Sequence, residues 1–317
     1  MAGTKSSSSS YTFSGANGWT VGNREDLLDI ITNISPDETP LMNKFGRSKV
    51  TGMVHSWLTD SLDQPAQNAH LEDAAFSSTP SVPRVKLDNY IQIFMRDCMV
   101  TDSQEAVLKA GVKSEMAYQL AKVLKAIALD VEYAIVNNST ARQGDATNAG
   151  LMGGIPYFIN ATKLPNNVID GVAHAGVEEL TEEVFNDAIQ AAWKVGGTPD
   201  IAVMSGANKR VVSGFTGNAD RQRSADSTKV KQIVNVYESD FGLVNTLLHR
   251  LMPDTRIDFL QSEYWKLAYL IPFKTVERPK DSLVNGKVVT GQLTMECRSP
   301  EANSQIVLAS DWWVTDF

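Results

Sequence analysis

The most regular pattern of apolar and polar positions lies between residues 101 and 138. Apolar side chains recur there at steps of three and four residues, which places them on one stripe of a helix. Thr101 or Asp102 can cap the first turn, with Gln104 or Glu105 three positions later in a capping-box arrangement. The spacing predicts one helix over about 103–138, roughly 50 Å long at ~1.5 Å per residue. Its apolar stripe consists of Val112, Met116, Leu120, Val123, Ile127, Val131 and Ile135.

Shorter helices and several strands are predicted on either side of this element. Helical periods occur in NREDLLDIITNI at 23–34, TEEVFNDAIQAAWKVGG at 181–197 and ANKRVVSGF at 207–215, with a brief helix in SPDETPLMNKFG. Apolar runs predict strands in KVTGMVHSWL, VKLDNYIQIFMRDCMV, PDIAVMSG, RIDFL and YWKLAYL. IVNVYESDFGLVNTLLHR is typical of a hairpin that turns between Ser239 and Gly242. GLMGGIPYFI reads as a flexible turn that enters a strand.

The strand VVTGQLTMECRSP has the clearest alternation in the chain, so we expect one buried face and one face in water. The inward set is Val289, Leu293, Met295 and Cys297. The outward set is Thr290, Gln292, Thr294, Glu296 and Arg298.

The segment HSWLTDSLDQPAQNAHLEDAAF, residues 55–76, interrupts these patterns with polar side chains and no clean period. His55 and His70 lie there among carboxylates, so a metal or acid–base site is one hypothesis. Metal ligands must be held rigidly, and a proline-bearing polar loop gives no sign of such a frame. The alternative is a segment that extends toward a partner, with Trp57 as the anchoring side chain.

The composition narrows the classes of protein further. The chain has 317 residues, 43% hydrophobic and 21% charged, which is enough for one large domain or two smaller ones. Its net charge of -8 disfavours a general nucleic-acid binder. Two cysteines indicate a reducing compartment without a disulfide framework. We find no secretion signal and no apolar run near the ~20 residues that span a bilayer, so we expect a soluble protein made inside a cell.

Motifs for catalysis or for cofactor binding are missing from the sequence. There is no phosphate loop, no dinucleotide fingerprint, no pair of metal histidines on a helix and no nucleophile elbow. We expect Cys98 and Cys297 to be buried as small hydrophobic side chains. His249 follows a strand, where a surface or interface position is expected. We therefore predict no catalytic residue, no cofactor and no bound metal.

Four phrases occur in an order that is similar to a known family: ISPDETPLMNKFG, VHSWLTDSL, the long helix opened by TDSQEAV, and VERPKDSLVNGKVVTGQLTMECRSPEAN. Together they resemble the major capsid proteins of tailed bacteriophages, which have the Hong Kong 97-type fold, and in particular the SU-ten-like branch. The resemblance covers the chain from about Asn23 to its end. The resemblance rests on the order and spacing of the four phrases, because they are packing and loop motifs without a chemical signature.

This resemblance implies an α+β capsid fold with five parts. Residues 1–48 would be an N-terminal arm, 49–83 an extended β-loop, and 84–179 a peripheral domain that contains the spine helix. Residues 180–260 would form the axial domain, and 261–317 the return strands of the peripheral domain, its β-arm. The extended loop would lie across a neighbouring subunit, and its implied intersubunit contacts are His55, Trp57, Asp60, Asp63 and His70.

The implied function is self-assembly into an icosahedral head shell of hexamers and pentamers. The shell would enclose double-stranded DNA without sequence-specific binding, in a virion assembled in the host bacterial cytoplasm. Scaffold, portal and decoration proteins are the further partners implied, and a membrane is not. Two alternatives stay open: a cellular nanocompartment shell of the same fold and, more remotely, a soluble α/β metal-dependent enzyme that uses carboxylates of the loop region and loses activity when His55 or His70 is replaced. We carry over no covalent Lys–Asn cross-link, because nothing aligns such a pair.

Overall fold

The computed structural model describes residues 38–62, 65–73, 83–107, 112–170, 180–215, 236–280 and 282–308. Most of the predicted N-terminal arm, the helix predicted at 23–34 and the loop residue Asp63 lie outside these ranges. No helix in the described ranges has both the length and the apolar character needed to cross a bilayer.

Four of the six helical segments described begin at a residue whose side chain satisfies a free backbone N–H group. The helical segments are α1 Pro40–Lys44, α2 Asp102–Ala106, α3 Glu115–Asn137, α4 Ile155–Phe158, α5 Glu182–Lys194 and α6 Gly206–Gly214. Ser114, Thr181 and Ser205 each accept a hydrogen bond from the N–H three residues on, at the starts of α3, α5 and α6. Such caps are preferred because the first N–H groups of a helix have no partner within it.

The strands form two sheets and one separate pair. The strands are β1 Gly46–Lys49, β2 Val54–Thr59, β3 Val85–Tyr90, β4 Gln92–Thr101, β5 Val168–Asp170, β6 Ile201–Met204, β7 Val236–Ser239, β8 Gly242–Leu248, β9 Arg256–Leu260, β10 Trp265–Glu277, β11 Val284–Cys297 and β12 Ser304–Val307. The first sheet has the order β1-β10-β11-β4 and the second the order β5-β12-β9-β6-β8-β7, while β2 pairs only with β3. The α+β class predicted from the sequence is confirmed.

The four-stranded sheet and α3 enclose the larger core. Alternate residues of β4 face the helix, so Phe94, Cys98 and Val100 are buried while Met95 on the other side is 68% exposed. The C-terminal part of the predicted helical stripe is confirmed, since Ile127, Val131 and Ile135 are buried in this core. The opposite face of β4 is left open in the described chain.

The six-stranded sheet divides this core from a second one. Ile201 and Val203 of β6 face the larger core, whereas Ala202 and Met204 face a cluster built with α5 and α6. All four residues of β6 are buried, as expected for a strand covered on both faces. The sequence correctly predicted α5, α6, β6 and the hairpin of β7 and β8.

The long predicted helix is interrupted in the structure, which corrects the span 103–138. A short α2 ends at Ala106, and the 23-residue α3 begins only at Glu115. Thr101 caps α2 by accepting from the N–H of Gln104, as predicted. The carboxylate of Glu105 accepts from the N–H groups of Glu115 and of the following residue. It therefore caps the next helix, and α3 is roughly 35 Å long at ~1.5 Å per residue.

Two other local predictions were wrong. Thr294 and Glu296, predicted to face water, are buried, because this end of β11 is covered on both faces. The segment after Gly154 is the helical turn α4 and does not enter a strand.

The strands β5 and β12 belong to the six-stranded sheet. The resemblance placed their residues in the peripheral parts 84–179 and 261–317, and that division of the chain stays a prediction.

Candidate functional site

The pair β2–β3 is the part of the molecule that corresponds to the polar segment singled out in the sequence. Opposite residues in this antiparallel pair share a face, so His55 lies with Asn89 and Trp57 with Leu87. Beyond Leu58 nearly every described residue is exposed as far as position 86. The pair therefore has two halves. The proximal half contains His55, Trp57, Leu87 and Asn89 and lies against the protein body. The distal half runs from beyond Leu58 to position 86 and lies in solvent.

His55 joins the proximal half to the buried carboxylate of Glu296. The Nε2 of His55 lies 3.2 Å from one carboxylate oxygen, which also accepts from Ser48. The Nε of Arg298 donates to the other oxygen at 2.7 Å. Burial by itself raises the pKa of Glu296, but the hydrogen bonds from Arg298 and His55 outweigh it and hold the pKa below its ordinary value. Glu296 is thus an ionised clamp between β11 and β2.

Trp57 is the second point of attachment. Its Nε1–H donates to the backbone oxygen of Cys297 at 2.9 Å, and its ring packs against His55 and Phe158. Phe158 in turn packs against the fully buried Trp265, so a row of aromatic rings connects the hairpin to the main core. The sequence predicted a neighbouring subunit as the partner of His55 and Trp57. In the structure each of them has its partner within its own chain.

Asn89 is an attachment residue that sequence reasoning missed. It is fully buried, and its amide nitrogen donates to the backbone oxygens of Gly153 and Met295. Its side-chain oxygen accepts from the N–H of Gly153 and from that of Tyr90. All four hydrogen-bonding positions of the amide are therefore occupied. The only sequence signal was its place in the apolar strand VKLDNYIQ, where a polar residue on the inward face needs partners.

Hydrogen bonds and an ion pair join residues within the distal half. Asp60 pairs with Arg84 at 3.3 Å across the hairpin, with both side chains more than half exposed. His70 contacts the side-chain oxygen of Asn68 at 2.6 Å. The apolar side chains of the distal half are also in solvent: Leu62 is 93% exposed and Leu71 is 81% exposed.

The structure gives no support to a metal site at the histidines. His55 is bound to Glu296, and His70 contacts Asn68. The described ranges contain no group of three or more His, Cys, Asp or Glu side chains that could hold a metal ion.

His249 lies in the interior, which corrects its predicted surface or interface position. Its Nε2 is 2.9 Å from Glu132 of α3, and both side chains are almost fully buried. The Glu132 carboxylate also accepts from the N–H groups of Leu41 and Met42 in the first turn of α1. One buried carboxylate therefore joins α1, α3 and the chain that leaves β8.

The two cysteines are free and buried, as predicted. Burial raises the pKa of the Cys297 thiol well above its ordinary value.

Comparison with known structures places this architecture among phage capsids. The capsid of cyanophage A-1(L) superimposes with a TM-score of 0.68 at 12% identity, covering 91% of this chain and 97% of that one. The capsid of an empty GTA particle superimposes with a TM-score of 0.63 at 13% identity, covering 90% and 95%. These similarities define the class: the protein has the Hong Kong 97-type capsid fold.

The sequence comparisons identify the branch within this class. Residues 8–309 match the family described as SU10 major capsid protein, and the chain belongs to that family. A relative is the major capsid protein of Escherichia phage Phieco32, 22% identical over 337 aligned positions that cover 91% of this chain and 95% of that protein. The resemblance predicted from the four sequence phrases is confirmed, and the protein is a major capsid protein of a tailed phage.

Proposed function

We propose that copies of this chain join into hexamers and pentamers of a closed icosahedral shell through the distal half of the β2–β3 hairpin. The observation that carries the proposal is the exposure of nearly all described residues of this half. An isolated two-stranded element is marginal in water, so it gains order by burying its surface against a neighbour. Such a contact joins different surfaces of two copies, and its repetition builds rings and then a shell.

Within the hairpin we assign two kinds of role. Asp60, Asp63 and His70 are the intersubunit contacts, together with the exposed Leu62 and its neighbours. His55 and Trp57 act from the proximal half, where they hold the hairpin to its own body. The contacts of each copy are weak individually and add up through their number.

We also propose the division of the chain between the parts of the shell. The four-stranded sheet with α3 forms the peripheral domain, and residues 180–260, completed by β5 and β12, form the axial domain. The excess of Asp and Glu (37) over Lys and Arg (29) suits a container that holds double-stranded DNA without sequence-specific binding. Assembly takes place in the host bacterial cytoplasm with scaffold, portal and decoration proteins as partners.

The proposal is tested by shortening the hairpin without touching its base. Residues 61–83 are replaced by an Asn-Gly turn, which closes the register between Asp60 and Arg84. Negative-stain microscopy of the purified protein, with a scaffold protein supplied if needed, should show uniform closed particles for the wild type. The shortened variant should keep its unfolding temperature and form no closed particles.

A second variant separates the length of the segment from its sequence. Here residues 61–83 are replaced by the same number of Gly and Ser residues, which keeps the span but removes Asp63, His70 and the exposed leucines. Loss of particles in both variants supports the assignment. Normal particles from both would overturn it.

A further inference from the structure

The proximal half of the β2–β3 hairpin presents one face to the body of the protein. His55, Trp57 and Asn89 lie on this face, because alternate residues of a strand point the same way and opposite residues of a pair share a side. Ser56 and Leu58, between and beyond them, are exposed on the other face. The hairpin is therefore held from one side only.

These side chains attach to three consecutive residues at the end of β11. Asn89 donates to the backbone oxygen of Met295 at 2.7 Å, His55 reaches the carboxylate of Glu296, and Trp57 donates to the oxygen of Cys297 at 2.9 Å. Successive residues of a strand are about 3.3 Å apart, so these points of attachment span about 7 Å along β11.

A further attachment lies away from β11. Asn89 also exchanges hydrogen bonds with the backbone of Gly153, at 3.0 Å to its oxygen and 2.8 Å from its N–H. The points of attachment consequently do not fall on one line. These attachments restrict both the rotation of the hairpin about the axis of β11 and its sliding along that strand.

A hairpin fixed in this way acts as a lever on whatever its distal half touches. Beyond Trp57, β2 continues for two residues, or about 7 Å at ~3.3 Å per residue. A rotation of about 10° at the base would move the end of β2 by about 1 Å, which is enough to stretch a hydrogen bond beyond its usual range of about 2.7–3.2 Å. The angle at the base therefore decides which contacts the distal half can make.

We propose that His55, Trp57 and Asn89 are positioning residues. They set the angle between the hairpin and the body of its own subunit, and thereby the curvature at which shells close. The inference rests on the proposed role of the distal half in joining subunits and adds a separate role for the base. The distal half supplies adhesion between copies, and the base supplies uniform geometry. Weakening the base should therefore change the size of the particles before it prevents their formation.

The first test measures particle diameters by cryo-electron microscopy for Trp57→Phe. This variant keeps a packed ring but loses the hydrogen bond to Cys297. Its diameter distribution should lose the single sharp peak of the wild type and become broad. Trp193→Phe is the matched control, because Trp193 on α5 is 53% exposed and far along the chain from the hairpin. It should leave the diameters unchanged.

A second pair of variants distinguishes an effect of the hairpin angle on particle diameter from an effect of folding stability. Asn89→Asp keeps the acceptor oxygen but removes both donated hydrogen bonds, and should broaden the diameters further. Val131→Ala opens a cavity beside α3 and lowers stability without touching the hairpin. If the base acts only through stability, Val131→Ala will broaden the diameters as much as Trp57→Phe, which would overturn the proposal.

The angle itself can be measured in the unassembled chain by the distance between two spin labels. Ser61→Cys places one label at the start of the exposed distal half, and Ser139→Cys places the other on the exposed loop after α3. The native cysteines are buried and do not compete for the label. We expect a narrow distance distribution for the labelled wild type and a broad one when Trp57→Phe is added.

The outcomes distinguish this inference from the proposed function. Unchanged diameters together with an unchanged distance distribution in both Trp57→Phe and Asn89→Asp would overturn the positioning role. Absence of shells from the wild type would contradict the proposed function, whereas the label distances would still decide whether the base fixes the angle.

Discussion

Glu132 and His249, 117 residues apart in the chain, form a buried hydrogen bond of 2.9 Å at the junction of three elements. The Nδ1 of His249 accepts from the N–H of Leu251, so its Nε2 carries the proton and donates to the carboxylate. With the N–H groups of Leu41 and Met42, Glu132 receives three hydrogen bonds. Two of these N–H groups belong to the first turn of α1 and would otherwise be buried without a partner.

Glu132→Gln is expected to destabilise the protein by about 1–3 kcal/mol, because the new amide nitrogen must face one of three donors. Urea unfolding measures the change in free energy. Hydrogen exchange should also become faster at Leu41 and Met42. Glu263→Gln, at an exposed position, is the control and should leave both quantities unchanged. Equal stability of the two variants would contradict the role assigned to Glu132.

Gly154→Ala tests the close approach between α3 and the turn that precedes α4. A Cβ at Gly154 would lie 2.5 Å from the backbone oxygen of Ala134 and 2.6 Å from that of Ile135. Because these are backbone atoms, the helix or the turn must shift, at a cost of about 1–3 kcal/mol. Thermal unfolding measures the loss.

Gly214→Ala is the matched control for this substitution. A Cβ at Gly214 meets none of the described residues within 4 Å, so stability should change by less than about 0.5 kcal/mol. A loss as large as that of Gly154→Ala would show that the effect comes from glycine replacement in general.

The clamp at Glu296 predicts a contribution to stability that depends on pH. Its pKa is lower in the folded chain than in the unfolded one, so it stabilises the folded state above the ordinary glutamate pKa of about 4.3. That contribution is lost as the pH falls from about 4.3 through the lower folded value. Unfolding free energies measured between neutral and acidic pH should therefore fall more steeply for the wild type than for Glu296→Gln. An equally steep acid limb in both proteins would exclude the clamp, and Glu263→Gln should follow the wild type.

Thiol reactivity tests the burial of the two cysteines. Cys297 is fully buried with a raised pKa, and Cys98 is 8% exposed, so neither should react with a disulfide reagent in the folded chain at neutral pH. Both should react after unfolding in urea. Ser61→Cys provides an exposed thiol that should react at once in the folded chain. Rapid reaction of a native cysteine before unfolding would contradict the packing around β4 and β11.

The periodic pattern of the sequence was sufficient for most of the elements. The stripe through Ile127, Val131 and Ile135 predicted the buried side of α3, and the inward set of β11 is buried as predicted. These predictions succeeded because an apolar period of 3.6 or 2 determines which face a helix or strand must bury. The order of packing phrases also identified the family, although no single residue in them has a chemical role.

The candidate site was predicted only as a segment. The polarity and length of residues 55–76 indicated an extended element, and the exposure of its described distal half agrees with that prediction. The division into a fixed base and a free end was not predicted, because Glu296 and Cys297 are about 240 residues from the side chains of His55 and Trp57 that they hold. Asn89 was missed for the same reason.

The sequence by itself determined which segments become helices and strands and which fold family they build, because both depend on local periods and on their order. Only the tertiary structure decided the break between α2 and α3, the burial of Thr294 and Glu296, and the interior position of His249. For Glu296 and His249 a group distant in the chain supplied the deciding contact: the hairpin covers the end of β11, and Glu132 binds His249. The Glu105 carboxylate, ten residues before Glu115, caps α3. Burying a polar side chain costs free energy unless it gains a partner, and folding alone brings Glu296 and His249 to theirs.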